Sequence, residues 1–187
     1  MAELLDNYAS ANQDATTTFC GAGRPIIEAQ SFTTPNDGIQ YTLTSCKFWL
    51  KNTTGAVGNV CAKLYSHAGV YGVSSVGNAV LATSDNVDVT TIGIAFGWVV
   101  FTFADVYVMN ANTNFVIACV DVNCDLNLTI GWDGSTPAHS GNICYVLTTT
   151  WTYSASYDAC FEVYGEPPAA VGGGEFGIGK TSLVLTL

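Results

Sequence analysis

Apolar and polar residues alternate with a period of two through most of this chain, and short turn clusters break the alternation. That is the pattern of half-buried β-strands, since successive side chains point to opposite faces of a sheet. The densest stretch is 97–103, Gly-Trp-Val-Val-Phe-Thr-Phe. Val99, Phe101 and Phe103 share one face, Trp98, Val100 and Thr102 the other, and both are mostly apolar. The pattern predicts a central strand there, covered on one side by a second sheet and on the other by loops or a partner. Residues 27–32 form an earlier predicted strand, closed by the turn sequence Thr-Pro-Asn-Asp-Gly at 34–38. Ile39, Tyr41 and Leu43 then alternate, followed by Cys46, Phe48 and Leu50. The apolar parity switches near Thr44-Ser45, which marks a bulge or a break. Further strands are predicted at 59–66, 79–83, 86–90 and 106–109, with a Gly- and Ser-rich loop over 67–78. Residues 114–120 are apolar on both faces and predict another central strand. Leu126, Leu128, Ile130 and Trp132 alternate, a polar loop runs to Asn142, and strands at 143–147, 151–153 and 159–164 complete the body. So many short strands with no helical periodicity predict an all-β chain, a jelly-roll β-sandwich, with a ligand-enclosing barrel as the alternative.

The two ends read differently. Residues 1–26 are rich in Asn, Ser and Asp with little alternation, and predict an extended N-terminal arm ordered by a partner surface. The body is expected over 27–166. Beyond Pro167-Pro168 comes a Gly-rich linker, then a C-terminal tail strand in which Leu183, Leu185 and Leu187 line one face. An apolar strand on a flexible tether predicts assembly by strand addition to a neighbouring subunit, with pairing on its own sandwich as the alternative.

Composition narrows the setting. The chain has 187 residues, enough for one domain with a real core. Only 11% of residues are charged, and 15 acids against 5 bases leave a formal net charge of -10. Such a surface repels phosphate backbones, so no nucleic-acid partner is expected. No apolar run reaches membrane-span length, so no membrane partner is expected either. The opening residues lack a basic segment and an apolar stretch, which predicts no signal peptide. Seven cysteines form no CxxC pair, and His67 and His139 lie far apart in sequence, which argues against zinc. Cys61, Cys119 and Cys160 sit in apolar strand patterns, where a thiol acts as a small hydrophobe, and one disulfide stays open.

Residues 174–181 match the phosphate-loop pattern G-x-x-x-x-G-K-[ST] letter for letter. That chemistry needs the loop between a buried strand and a helix. Here a Pro/Ala/Gly stretch precedes it and six β-type residues follow, so chance in a Gly-rich linker is the reading. Asp121, Asp125, Asp133, Asp158 and Glu162 lie at predicted strand ends, without the spacing of a calcium loop, and read as solvated acids. Neither histidine has a nucleophile beside it in sequence, so no catalytic residue, metal or cofactor is predicted. The remaining candidates are aromatic. Tyr71, Trp132, Trp151, Tyr153 and Tyr157 lie in or near loops and are candidates to stack on sugar rings, against a competing reading that puts Trp132 and Trp151 in the core.

The body from about 30 to 166 resembles the choice-of-anchor or carbohydrate-binding-like jelly-roll domains of bacterial surface proteins and tailed-phage structural proteins. The resemblance rests on Ala29-Gln30-Ser31-Phe32-Thr33, Cys46-Lys47-Phe48-Trp49-Leu50, the segment 58–65, Leu81-Ala82-Thr83-Ser84, Val100-Phe101-Thr102-Phe103 and the segment 156–165. It implies fold more than function, since the family carries no catalytic signature. Joined to the layout of the chain, it implies a non-enzymatic virion protein: a capsid decoration, head-fibre or tail-associated component. Such a protein would form homo-oligomers, contact other virion proteins and bind surface glycans. The alternative is a carbohydrate-binding module at a cell surface or outside the cell.

Overall fold

The computed structural model describes residues 1–169 except Ala22, Thr54, Leu126 and Thr136. Two antiparallel sheets enclose a common core, the arrangement of a β-sandwich. In chain order the strands are β1 (Glu3–Tyr8), β2 (Ala15–Phe19), β3 (Ile27–Thr33), β4 (Tyr41–Lys51), β5 (Asn59–Ala68), β6 (Val76–Thr83), β7 (Val87–Asp88) and β8 (Gly97–Thr102). They continue with β9 (Val108–Met109), β10 (Asn114–Asp121), β11 (Leu128–Asp133), β12 (Ile143–Val146), β13 (Trp151–Ser154), β14 (Asp158–Ala159) and β15 (Phe161–Glu166). The first sheet runs β1-β15-β4-β11-β14, with β2 on β11 and with β8 and β9 on β4. The second runs β13-β12-β3-β10-β5-β6, with β7 on β5.

The core follows from the alternation. Phe32 on β3, Phe48 on β4, Phe101 on β8 and Phe161 on β15 are fully buried between the sheets, with Leu50, Leu64, Ile117, Leu128 and Ile130 around them. Their rings meet edge-on or tilted, Phe48 against Phe101 at 6.1 Å and Phe32 against Phe115 at 5.8 Å. A second apolar cluster lies on the other face of the second sheet, around Ala29, Cys61, Tyr65, Val116, Ala118 and Cys144. It is covered because the sheet curls until its two end strands approach. Trp151 on β13 packs edge-on to Tyr65 at 5.3 Å. The same ring lies over Gly77 on β6, where a Cβ would stand 2.4 Å from its Cζ2, so only glycine permits the approach.

The predicted parity switch is a bulge. Ser45 pairs with Tyr164 and Leu43 with Gly165, which leaves Thr44 as the extra residue. The chain does not break there, and β4 continues as one strand of 11 residues. Strand β10, expected to be central, lies between β3 and β5 with six consecutive residues buried.

Two expectations are corrected. The stretch 97–103 holds an edge strand: β8 pairs with β4 alone, Val100 is half exposed, and only Phe101 and, just after the strand, Phe103 are buried. Its outer-face apolar residues pack sideways instead, Trp98 against Trp49 at 5.2 Å, with Trp49 stacked on Phe96 at 6.2 Å. Residues 1–26 are not a separate arm either. Strand β1 pairs with β15 and β2 with β11, and Leu5, Tyr8 and Phe19 enter the core. The partner surface that orders them is the chain's own first sheet. The expected tail strand, with Leu183, Leu185 and Leu187, and the stretch 174–181 lie outside the described residues.

Candidate functional site

Sheet edges leave backbone and side chains accessible, and this sandwich has a cleft at one of its open sides. Strands β2 and β11 border it from the first sheet, and β3, β12 and β13 from the second. The cleft has a volume of about 300 Å³, and it is lined by Thr17, Pro25, Glu28, Trp132, Ile143, Tyr145, Ser154 and Tyr157. That size suits a ligand of one or two rings.

Trp132 forms one wall. Its indole N–H donates to Thr17 Oγ1 at 2.9 Å, which fixes the ring across the β2–β11 pair. Tyr157 lies against it, ring centroids 4.4 Å apart and planes at 53°. A Cβ at Gly134 would stand 2.6 Å from Trp132 Cζ3, so the turn after β11 must be glycine for the ring to keep this position. Tyr157 remains more than a third exposed, and its carbonyl accepts from Ile143 N–H at 3.0 Å, which ties its loop to β12.

Glu28 sits at the other side, on β3, with Cys119 of β10 and Tyr145 of β12 as its register partners. It shares the inward face of β3 with Gln30 and Phe32. It is 2% exposed. No described residue gives its carboxyl a hydrogen bond or an ion pair, and burial alone pushes its pKa up to about 8. Its oxygens are not sealed from the cleft, since among the described residues no fully buried side-chain oxygen or nitrogen lacks a hydrogen-bond partner.

A second polar group lies between the sheets. His139 Nε2 is 3.1 Å from Asp6 Oδ1, while its Nδ1 accepts from Gly141 N–H at 3.0 Å. Gln30 spans the group: its amide donates to Asp158 Oδ1 at 2.8 Å, and its carbonyl accepts from Ala159 N–H at 2.9 Å. Tyr8 donates to Asp133 Oδ2 at 2.6 Å, and its burial, with this bond, pushes the phenol up to about 12. These groups satisfy one another, and their arrangement ties β1, β3, β14 and the loop after β11 together. It holds no aligned nucleophile and reads as a structural staple. Asp133 and Asp158, expected as solvated acids, are buried in it because each has a partner there. Among the described residues no group of His, Cys, Asp and Glu has the arrangement of a metal site.

The structure sorts the aromatic candidates. Trp132 and Tyr157 come together in the cleft. Tyr153 is half exposed on β13, next to the cleft-lining Ser154 but not itself in the lining. Trp151 is committed to Tyr65 and Gly77 on the far face of the second sheet. Tyr71 stands apart in the β5–β6 loop, near His67 and with its hydroxyl 3.4 Å from Ser140 Oγ. Glu28 and Tyr145 were not legible as site residues, although an acid at the second position of a predicted strand, on the face of Phe32, is a usable signal. All seven cysteines are buried free thiols, so the open disulfide is not formed.

No family model, curated protein or solved structure matches this chain.

Proposed function

We propose that this protein is a non-enzymatic binding domain whose cleft takes a saccharide. The observation that carries the reading is the Trp132–Tyr157 pair, fixed at the mouth of a ring-sized cleft. Apolar faces of sugar rings stack on such aromatics, and polar groups around them accept and donate to the hydroxyls. Thr17, Ser154, Tyr145 and Glu28 supply those groups. The finer fold belongs to the same proposal. The chain passes alternately between sheets, from β3 to β4, β5, β8, β10, β11, β12 and β15, and this supports a jelly roll. Titration of the full chain with a glycan panel tests the function. Tyr157→Ala, at an exposed position, is expected to lower affinity about tenfold without altering the melting temperature, and Trp132→Ala at least as much. An affinity unchanged in both variants, or no binding across the panel, overturns the reading.

A second reading, a homo-oligomeric structural component of a phage particle that presents this cleft, is favoured by exposed apolar residues on and just before the edge strand β8. Val100 on that strand is half exposed, and Ile94, three residues before the strand begins, is exposed. Sedimentation of the full chain as a monomer at high concentration counts against it.

A further inference from the structure

We propose that the ligand of the cleft is an amine-bearing sugar, held with its ring against Trp132 and Tyr157 and its ammonium group on the Glu28 carboxyl. The inference rests on the saccharide reading and narrows it to one chemical class. Three observations lead to it. The aromatic pair forms one wall and Glu28 another of a single cleft, so a ring-sized ligand meets both. Glu28 is 2% exposed and makes no hydrogen bond or ion pair with any described residue. No lysine, arginine or histidine lines the cleft, so the place of a cation beside Glu28 is left to the ligand.

A neutral hydroxyl leaves Glu28 as the protonated acid of the empty cleft and gains only an ordinary neutral hydrogen bond. An ammonium balances the charge and donates up to three hydrogen bonds, and charge-assisted bonds in a desolvated site are the strong ones. The neighbouring rings add cation–π attraction for the same group. The net charge of -10 attracts a cationic ligand at long range. An amide-capped sugar loses both the charge and two donors.

The titratable groups around Glu28 do not compete. Cys119 of β10 and Cys144 of β12 are its electrostatic neighbours, with thiols that burial holds protonated. Tyr145 and Tyr157 line the same cleft. Burial holds the proton on Glu28 of the empty cleft near neutral pH, so binding an ammonium there expels that proton to solvent.

Calorimetry on the full chain at pH 7 tests this with three probes: the trisaccharide of glucosamine, its N-acetylated form and cellotriose. The glucosamine trisaccharide is expected to bind about tenfold or more tightly than the other two. Its binding is expected to release a proton, read as a heat that differs between buffers of different ionisation enthalpy. Glu28→Gln keeps the shape and removes the charge, and is expected to level the three affinities. If the variant does not fold, proton release by the wild-type protein still decides. Equal affinities for the three probes without proton release overturn the amine assignment and leave the saccharide reading standing. Binding of none of the three overturns both.

Discussion

Glu28 has a consequence even in the empty protein. Burial raises its pKa from 4.5 to about 8, so the folded state keeps a proton that the unfolded state has lost between those values. Stability from this group is fully present below about pH 4.5 and falls as pH rises toward 8, because the unfolded chain binds fewer protons over that range. The loss is on the order of a few kcal/mol. Glu28→Gln is expected to melt like the wild-type protein near pH 4.5 and clearly higher at pH 8 to 9. Melting scans across that range check it, and a variant less stable at pH 8 would show that the carboxylate has a stabilising partner. At this scale the sequence was half legible. The five aromatic candidates were recognisable as residue types, but only Trp132 and Tyr157 meet in the cleft. Trp151 sits in an apolar setting that only Gly77, 74 residues away in sequence, makes possible. Which side of a sheet covers which ring is a tertiary fact, and local alternation carries no record of it.

Strands were more legible than their neighbours. The pattern located most of the body from β3 onward and even the bulge at Thr44, because a register slip moves every apolar side chain to the wrong face. It failed where packing overrides composition. Strand β8 is apolar on both faces yet lies at an edge, where Trp98 packs on Trp49 and Trp49 in turn stacks on Phe96. Strand β1 lies in a segment rich in Asn, Ser and Asp yet is held by backbone pairing to β15, by Leu5 and Tyr8 in the core, and by the contact between Asp6 and His139. Gly165 has no room for a side chain, since a Cβ there would stand 2.8 Å from Leu5 Cδ1. Removal of residues 1–9 is therefore expected to do more than trim a tail. It strips β15 of one partner, opens the core at Phe161 and leaves His139 without Asp6. The shortened protein is expected to melt many degrees lower, a loss of several kcal/mol, comparable to removing two large core side chains. An unchanged melting temperature would return the segment to the role of a dispensable arm.

Across the whole molecule the thiols are spread as probes of how it opens. Cys46 lies on β4, Cys61 on β5, Cys119 on β10 and Cys144 on β12, with Cys160 at the junction of β14 and β15. Cys20 and Cys124 instead sit in the connections after β2 and after β10, close enough for their thiols to hydrogen-bond. Burial pushes the thiols of Cys20, Cys46, Cys61, Cys119, Cys144 and Cys160 above their ordinary range, so little thiolate is present in the folded state. Modification must then wait for opening, and the free energy of opening differs between loops and central strands. Cys20 also carries a left-handed backbone, φ 66°, which an L residue adopts at some cost and which makes its connection the easier one to open. Alkylation of the native protein followed by mass spectrometry is expected to show Cys20 and Cys124 labelled first. The five strand and junction thiols should follow together, at the rate set by global unfolding. Denaturant without reductant should release seven reactive thiols. Early labelling of Cys46 or Cys119 would mean that the two sheets separate more easily than their loops move. That outcome is incompatible with a core in which Phe48, Phe101 and Phe161 are fully buried between them.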